Sequence, residues 1–454
     1  MTEELRIVAL NGMLGYGYEV TSLDAGIAIA PHVIGVDAGS TDPGPYYLGS
    51  GSSLVREDQV YRDLKPALVR ARQACVPFVV GSAGFGGAQP NVEFFLRILH
   101  RICREEGLHF KLGVIKSDVS KQTVLDALNA GKIEPMPGAP SLTARHVEES
   151  AQIVGQIGTD PYIAAFEQGA EVIIAGRSCD TAIYAALPIW RGYDMGLAFH
   201  MAKIMECGAQ CALPLAPNDC LLGTLRKDHF LIRPLAAHRV VSPESVAAHT
   251  MYEQGNPFLI YEPEGVIDVR DADFQQHDRQ SVRVSGSKFI SNGGKLKIKL
   301  EGARRIGARA FTIAGVRDQY VIENLDVVEQ TVRAAVERNL GAQAAAEGYD
   351  LHFRYYGKNA VLGDTEPSKV APGEIGVLIE ALAPTQALAS YVLSLARSSY
   401  LHCPFPGRKA TAGNLAFPFS PSDFEGGDVY EFSVYHLMQV ADQNKLFPVE
   451  ITSI

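Results

Sequence analysis

"VIGVDAGSTDPGPYYLG", residues 33–49, is the stretch on which the fold turns. An apolar run from Val33 to Val36 stops at Asp37. Two small hydroxyl residues follow, Ser40 and Thr41, then Asp42 and a Pro43-Gly44-Pro45 break. A run without polar alternation reads as a strand buried on both faces. The turn after it has three readings: a nucleotide-phosphate loop, a catalytic strand end, or a turn in which Asp37 bonds the nearby backbone.

The same grammar recurs on both sides of this stretch. Strand candidates are 6–10, 32–36, 77–81, 110–116, 153–157 and 171–175. Segments 57–73, 91–106, 120–130 and 145–151 carry apolar residues at helical spacing, as do 181–187 and 196–211. Continuous apolar strands followed by helices predict a Rossmann-like parallel sheet covered on both faces. The pattern changes near Pro217. Strands with turns are expected at 221–235, 257–269, 281–290 and 295–300. A strand at 308–316 and a helix at 327–339 follow. Further strands are expected at 351–356 and 375–380, with a helix at 385–397 and a charged, proline-bearing linker at 362–373. The expected organisation is α/β: a Rossmann-like domain over 1–215, a mixed α+β domain over 216–361 and a C-terminal α/β segment over 362–454.

Composition narrows the function. The chain has 454 residues, 47% hydrophobic and 20% charged, with net charge −10. Phosphate backbones need a basic surface, so nucleic acid is not an expected partner. No apolar run spans a bilayer and the acidic start Met1-Thr-Glu-Glu4 lacks a signal-peptide pattern. The seven cysteines are odd in number and scattered, which reads as reduced thiols in a cytoplasmic protein. Size and apolar content suggest a homo-oligomer.

In an open parallel sheet, ligands bind beyond the carboxyl ends of the strands. Glycine-rich turns fall there: Asn11-Gly-Met-Leu-Gly-Tyr-Gly17, Asp37-Ala-Gly-Ser-Thr41, Gly81-Ser-Ala-Gly-Phe-Gly-Gly87 and Gly176-Arg-Ser-Cys-Asp180. Gly84, Gly86 and Gly87 would let backbone approach an anion, and helix starts would favour it. None matches the dinucleotide GxGxxG setting or GxxxxGK[ST], and there is no GxSxG elbow. Asp-x-Gly-Ser-Thr after a strand resembles the phosphate loop of sugar kinases and actins, but Pro43-Gly-Pro45 cannot easily continue as a hairpin strand. A rim for a carboxylate or thioester fits better, with Ser40 and Thr41 as contacts and Asp37 or Asp42 as acid/base or metal ligand.

Arg177 offers a planar fork for a carboxylate or phosphate, with Ser178 beside it. Asp180 stands at a helix start. Cys179 there could be an activated nucleophile, or simply packed inside. His200, Lys203, Cys207 and Cys211 fall on one helical stripe, a weak metal signal and more often a core pattern. No metal site is expected. Glu206, in so apolar a helix, is a candidate acid or base. Arg408 and Asn414, in Phe405-Pro-Gly-Arg-Lys-Ala-Thr-Ala-Gly-Asn414, are possible ligand contacts or parts of a surface loop.

Gly176-Arg-Ser-Cys-Asp-Thr-Ala182 and Ile204-Met-Glu-Cys-Gly-Ala-Gln210 resemble segments of the acyclic terpene utilisation AtuA-like family. Ala396-Arg-Ser398 resembles the start of its Ala-Arg-Ser-Gly-Asp-Lys-Gly motif, from which Ser399-Tyr-Leu-His-Cys-Pro404 departs. The resemblance covers about residues 60–350. It implies catabolism of branched acyl-CoA or carboxylic acids, with a lyase or hydratase step, CoA entering as part of the substrate. Asp37, Asp180 or Glu206 would then move a proton. The alternatives are an ATP-dependent enzyme using 37–41, or a non-catalytic subunit of a complex.

Overall fold

Five short strands with uninterrupted apolar faces run parallel: β1 (Leu5–Ala9), β2 (Val33–Asp37), β3 (Phe78–Gly81), β4 (Lys111–Ile115) and β5 (Val172–Ala175). The computed structural model describes residues 4–216, 218–253, 255–367, 372–410 and 412–454. Readings that touch Met1 to Glu3, Pro217, residues 368–371 of the expected linker, or Thr411 lie outside these residues. The chain divides into two units, 1–304 with 432–454, and 305–431.

In the first unit the parallel strands sit inside a mixed sheet. Its further strands are β6 (Leu221–Leu225), β7 (Phe230–Pro234), β8 (Asp273–Gln276), β9 (Val282–Ser285) and β10 (Val449–Ser453). The order is β8-β9-β7-β6-β1-β2-β3-β5-β4-β10. Residues alternate between two cores along each parallel strand. Val8, Ile34, Val36, Phe78, Val80, Val172 and Ile174 enter one; Ile7, Val33, Val79, Ile173 and Ala175 enter the other. Helices α1 (Val20–Ala28), α2 (Glu57–Gln73) and α3 (Gln89–Glu106) close the first core with Leu23, Leu64, Leu68, Phe95 and Leu99. Helices α4 (Thr159–Glu167), α5 (Ala182–Trp190) and α6 (Met195–Met205) close the second with Tyr162, Tyr184 and Met201. Asp194 starts α6 by accepting the Leu197 amide at 2.9 Å.

This winding positions the site. After β3 the chain turns to α3 on one face. After β5, its neighbour in the sheet, it turns to α5 on the other. Chain segments that leave adjacent parallel strands toward opposite faces bring their loops side by side at the strands' carboxyl ends, the edge where ligands of such sheets bind.

Four features differ from expectation. The sheet is mixed, not wholly parallel. Strands β6 to β9, expected in a separate domain, continue it across the 215/216 boundary: Leu5 pairs with Leu225 and Ala9 with Leu221, covering the edge that β1 would otherwise expose. The strand at Gln152–Gly155 does not join the parallel set. It pairs antiparallel with the long strand Leu296–Val316, Leu300 opposite Gly155. The expected helix 196–211 ends at Met205, and Gly208–Cys211 is a separate 3₁₀ turn. Gly208 has φ +61°, and the Asn11–Gly12 backbone passes 2.8 Å from where its Cβ would stand. The stripe His200-Lys203-Cys207-Cys211 is therefore broken.

In the second unit, Ile375–Ala383 pairs with both Asp350–Tyr356 and residues 308–316, all antiparallel. Helices α7 (Leu325–Leu340) and α8 (Gln386–His402) share a core with this sheet through Val328, Val332, Val336, Leu393 and Ala396. The division at 304/305 and 431/432 differs from the expected 361/362. The run 362–454 contributes Ile375–Ala383 and α8 to the second unit, and β10 to the first. Among the described residues no helix is long and apolar enough to cross a membrane.

Candidate functional site

Asp37, Ser82 and Arg177 stand at the carboxyl ends of β2, β3 and β5. Arg177 is 4% exposed. Its Nε donates to Glu301 Oε2 at 2.8 Å. Its Nη1 lies 3.3 Å from Ser82 Oγ, 3.0 Å from the Ser178 carbonyl and 3.4 Å from Asp180 Oδ1. The second oxygen of Glu301 accepts the Thr41 hydroxyl at 2.8 Å and pairs with Lys299 Nζ at 2.9 Å. Burial raises the Glu301 carboxyl, but the charges of Arg177 and Lys299 outweigh it and hold the pKa at about 2. Arg177, Glu301 and Lys299 thus form a permanently charged frame.

Against this frame stand carboxyls of the opposite tendency. Burial drives Asp37 well above its usual range, and the neighbouring Asp180 charge adds to it; Arg177, Ser82 and the Ala38 amide act against. Asp180, with its side chain 39% exposed, is raised by its enclosed position, with Arg177 and Lys203 opposing. Glu206 is pushed up to about 7, first by burial and then by Asp180, while Lys203 opposes. Burial depresses Lys203, but the Glu206 charge and hydrogen bond more than compensate and raise it. Glu262 is also raised, by burial and then by Glu264. Carboxyls of raised proton affinity, next to lysine and arginine, can hand protons on and take them back.

The residues anticipated from sequence are not all brought together. Asp37, Thr41, Arg177, Ser178, Asp180 and Glu206 join one charged cluster; the Ser178 hydroxyl lies 2.7 Å from Tyr162 OH and donates to the Gly176 carbonyl at 2.9 Å. Ser40 instead bonds Asp42 at 2.5 Å. Gly84 and Gly87 face other backbone, and Gly86 faces the Asn91 side chain and the Leu48 backbone. A Cβ on Gly84 would come 2.0 Å from the Asn91 carbonyl oxygen, and one on Gly86 3.1 Å from Leu48 Cα. A Cβ on Gly87 would stand 2.1 Å from the Arg177 amide nitrogen, and Gly87 has φ +72°. These glycines let the loops after β3 and β5 pack together. Gly87→Ala is expected to cost roughly 1–3 kcal/mol through clash and left-handed strain, read by urea unfolding. Wild-type stability in that variant would show that the loops separate freely.

Arg408 and Asn414 belong to the second unit. Arg408 donates to the His402 carbonyl at 2.8 Å and the Ala412 carbonyl at 2.9 Å; Asn414 donates to the Tyr400 and Cys403 carbonyls at 3.0 and 2.9 Å. Both close the carboxyl end of α8, whose last carbonyls have no helical partner. His200 is a core histidine, its nitrogens 2.6 Å from Ser287 Oγ and 3.0 Å from Thr250 Oγ1. Burial pushes the Cys207 and Cys211 thiols up to about 12, and raises Cys179 as well, against a nucleophilic thiolate. Among the described residues no group of three or more His, Cys, Asp or Glu is arranged to hold a metal.

Sequence reasoning missed Glu301, Lys299, Ser82, Tyr184 and Glu262, and read Lys203 only as part of a metal stripe. In Lys295-Leu-Lys-Ile-Lys-Leu-Glu301 the alternation puts Glu301 on the polar side of a strand, the side that ordinarily meets water. Only the pairing of that strand with Gln152–Gly155 brings it beside Arg177.

Comparison with curated proteins and with solved structures gave no match. The family model described as acyclic terpene utilisation family protein AtuA matches residues 57–214 and 229–417, which reaches past the departure at Ser399 and spans both units. By that match over most of its length, the chain belongs to the acyclic terpene utilisation family AtuA.

Proposed function

We propose that this chain is a catabolic enzyme of acid/base type, a lyase or hydratase acting on an anionic branched acyl-CoA or the corresponding carboxylic acid. Family membership supports a role in the catabolism of acyclic terpenes. One observation carries the chemistry: Asp37, Asp180, Glu206 and Glu262, all with raised proton affinity, gather at the carboxyl edge of the parallel strands beside Arg177 and Lys203. In this reading Glu206 takes the proton, from a carbon next to the thioester carbonyl or from water. Lys203 restores its charge balance. Arg177 is held too firmly by Glu301 to follow a substrate and instead keeps Asp180 in place. The parallel block serves as a Rossmann-like scaffold whose carboxyl edge receives the acyl group, without a dinucleotide.

The test is calorimetric titration with saturated and α,β-unsaturated branched CoA thioesters and the free acids, followed by turnover monitored at the enoyl-thioester absorbance. Binding of at least one thioester is expected, with turnover that falls at least tenfold in Asp180→Asn. No heat with any compound, together with an Asp180→Asn protein indistinguishable from wild type, would remove the proposal.

A further inference from the structure

The buried polar atoms without a hydrogen-bond partner among the described residues include Asp37 Oδ1 and the Tyr184 hydroxyl. Leaving such a group unsatisfied costs about 1–3 kcal/mol, so an orphan marks a place where something else completes the bond. Both residues stand on the same side of β2, and the Asp37 charge acts on Tyr184. Along β2, Gly35 and Asp37 point to the same face. The Tyr184 ring occupies the space a side chain at 35 would need, its Cε1 2.7 Å from the ideal Cβ of Gly35. Asp37 is the next residue on that face, toward the strand's open end. Tyr184 lies in the first turn of α5 and is fully buried; Asp37 is 4% exposed.

Resting on the acyl-substrate reading, we propose that Tyr184 OH and Asp37 Oδ1 together receive the carbonyl oxygen of the bound acyl group and carry the negative charge that develops on it. When a base breaks the C–H bond next to the carbonyl, the proton goes to the base. The C–H pair becomes the C=C bond, and the carbonyl π pair moves onto oxygen. That oxygen then needs two donors. Tyr184 supplies one. Burial and the Asp180 charge raise the proton affinity of the Asp37 carboxyl, and in its protonated form it supplies the other. A tyrosine paired with a neutral carboxylic acid is a workable oxyanion hole.

Tyr184→Phe separates this role from a structural one. Removing an unsatisfied hydroxyl leaves folding stability unchanged or slightly higher. Expected alongside are a drop in kcat on the order of 10², little change in thioester affinity, and a bound carbonyl stretch that returns toward its solution frequency in isotope-edited infrared spectra. Asp37→Asn keeps a donor in place and should lose less than Asp37→Leu. A Tyr184→Phe enzyme with wild-type kcat and an unshifted carbonyl band would overturn this assignment while leaving the acyl-substrate reading intact. Absence of binding by every thioester and acid would overturn both.

Discussion

Replacing Glu301 with alanine is expected to cost about 3–5 kcal/mol of folding stability, because it leaves buried cations without their counter-charge. Glu301 is fully buried and accepts from Arg177 at 2.8 Å, Lys299 at 2.9 Å and Thr41 at 2.8 Å. Arg177 cannot lose its proton, so its charge would stay buried without a partner. The pKa gives an independent gauge. Glu301 falls from an ordinary 4.5 to about 2 in the folded protein, worth about 3 kcal/mol. Since the folded value is the lower one, this share of stability is present in full above pH 4.5 and is lost as pH falls toward 2. Urea unfolding of wild type should therefore weaken between pH 4.5 and 2, and that part of the pH dependence should vanish in Glu301→Ala. Glu301→Gln, which keeps an acceptor oxygen but not the charge, should lose roughly 2 kcal/mol. An alanine variant as stable as wild type would mean that the Arg177 frame contributes nothing to folding.

The contrast between Glu301 and Asp37 shows what a linear reading can reach. Asp37, Arg177, Asp180 and Glu206 each interrupt an apolar run or open a helix, and such interruptions are visible along the chain. They need no knowledge of distant neighbours. Glu301 sits where alternation predicts an outward residue, and its burial depends on a strand 145 or more residues earlier in the chain pairing with its own. Glycine-rich turns were legible as turns, but not in purpose. Gly39 approaches the Phe85 backbone, where a Cβ would lie 2.1 Å from its carbonyl oxygen, so loop-on-loop packing accounts for it. Which sheet a strand joins is hidden for a similar reason. Nothing local distinguishes a strand that begins a new sheet from one, like Leu221–Leu225, that returns to cover β1.

Glu206→Gln is expected to lower kcat by about 10²–10⁴ and to abolish the rise of kcat/KM with pH. In wild type the rise should be centred near 7, because a general base works only when ionised and Glu206 holds its proton up to about that pH. The cause is enclosure by residues around the end of α6, reinforced by the Asp180 charge; the Lys203 ammonium keeps the shift from going further. Stability carries the opposite sign from Glu301. The folded pKa of Glu206 is the higher one, so its favourable share is complete below 4.5 and disappears as pH climbs through about 7. Glutamine cannot ionise, and the variant's stability should be flatter across that window. Lys203 in the variant faces an amide instead of a carboxylate, which makes it easier to deprotonate. The two measurements check each other. A kinetic rise near 7 that survives in Glu206→Gln would transfer the base to Asp180, the partly exposed carboxyl. A flattened stability curve with unchanged kinetics would make Glu206 a buried titrating group that takes no part in the reaction.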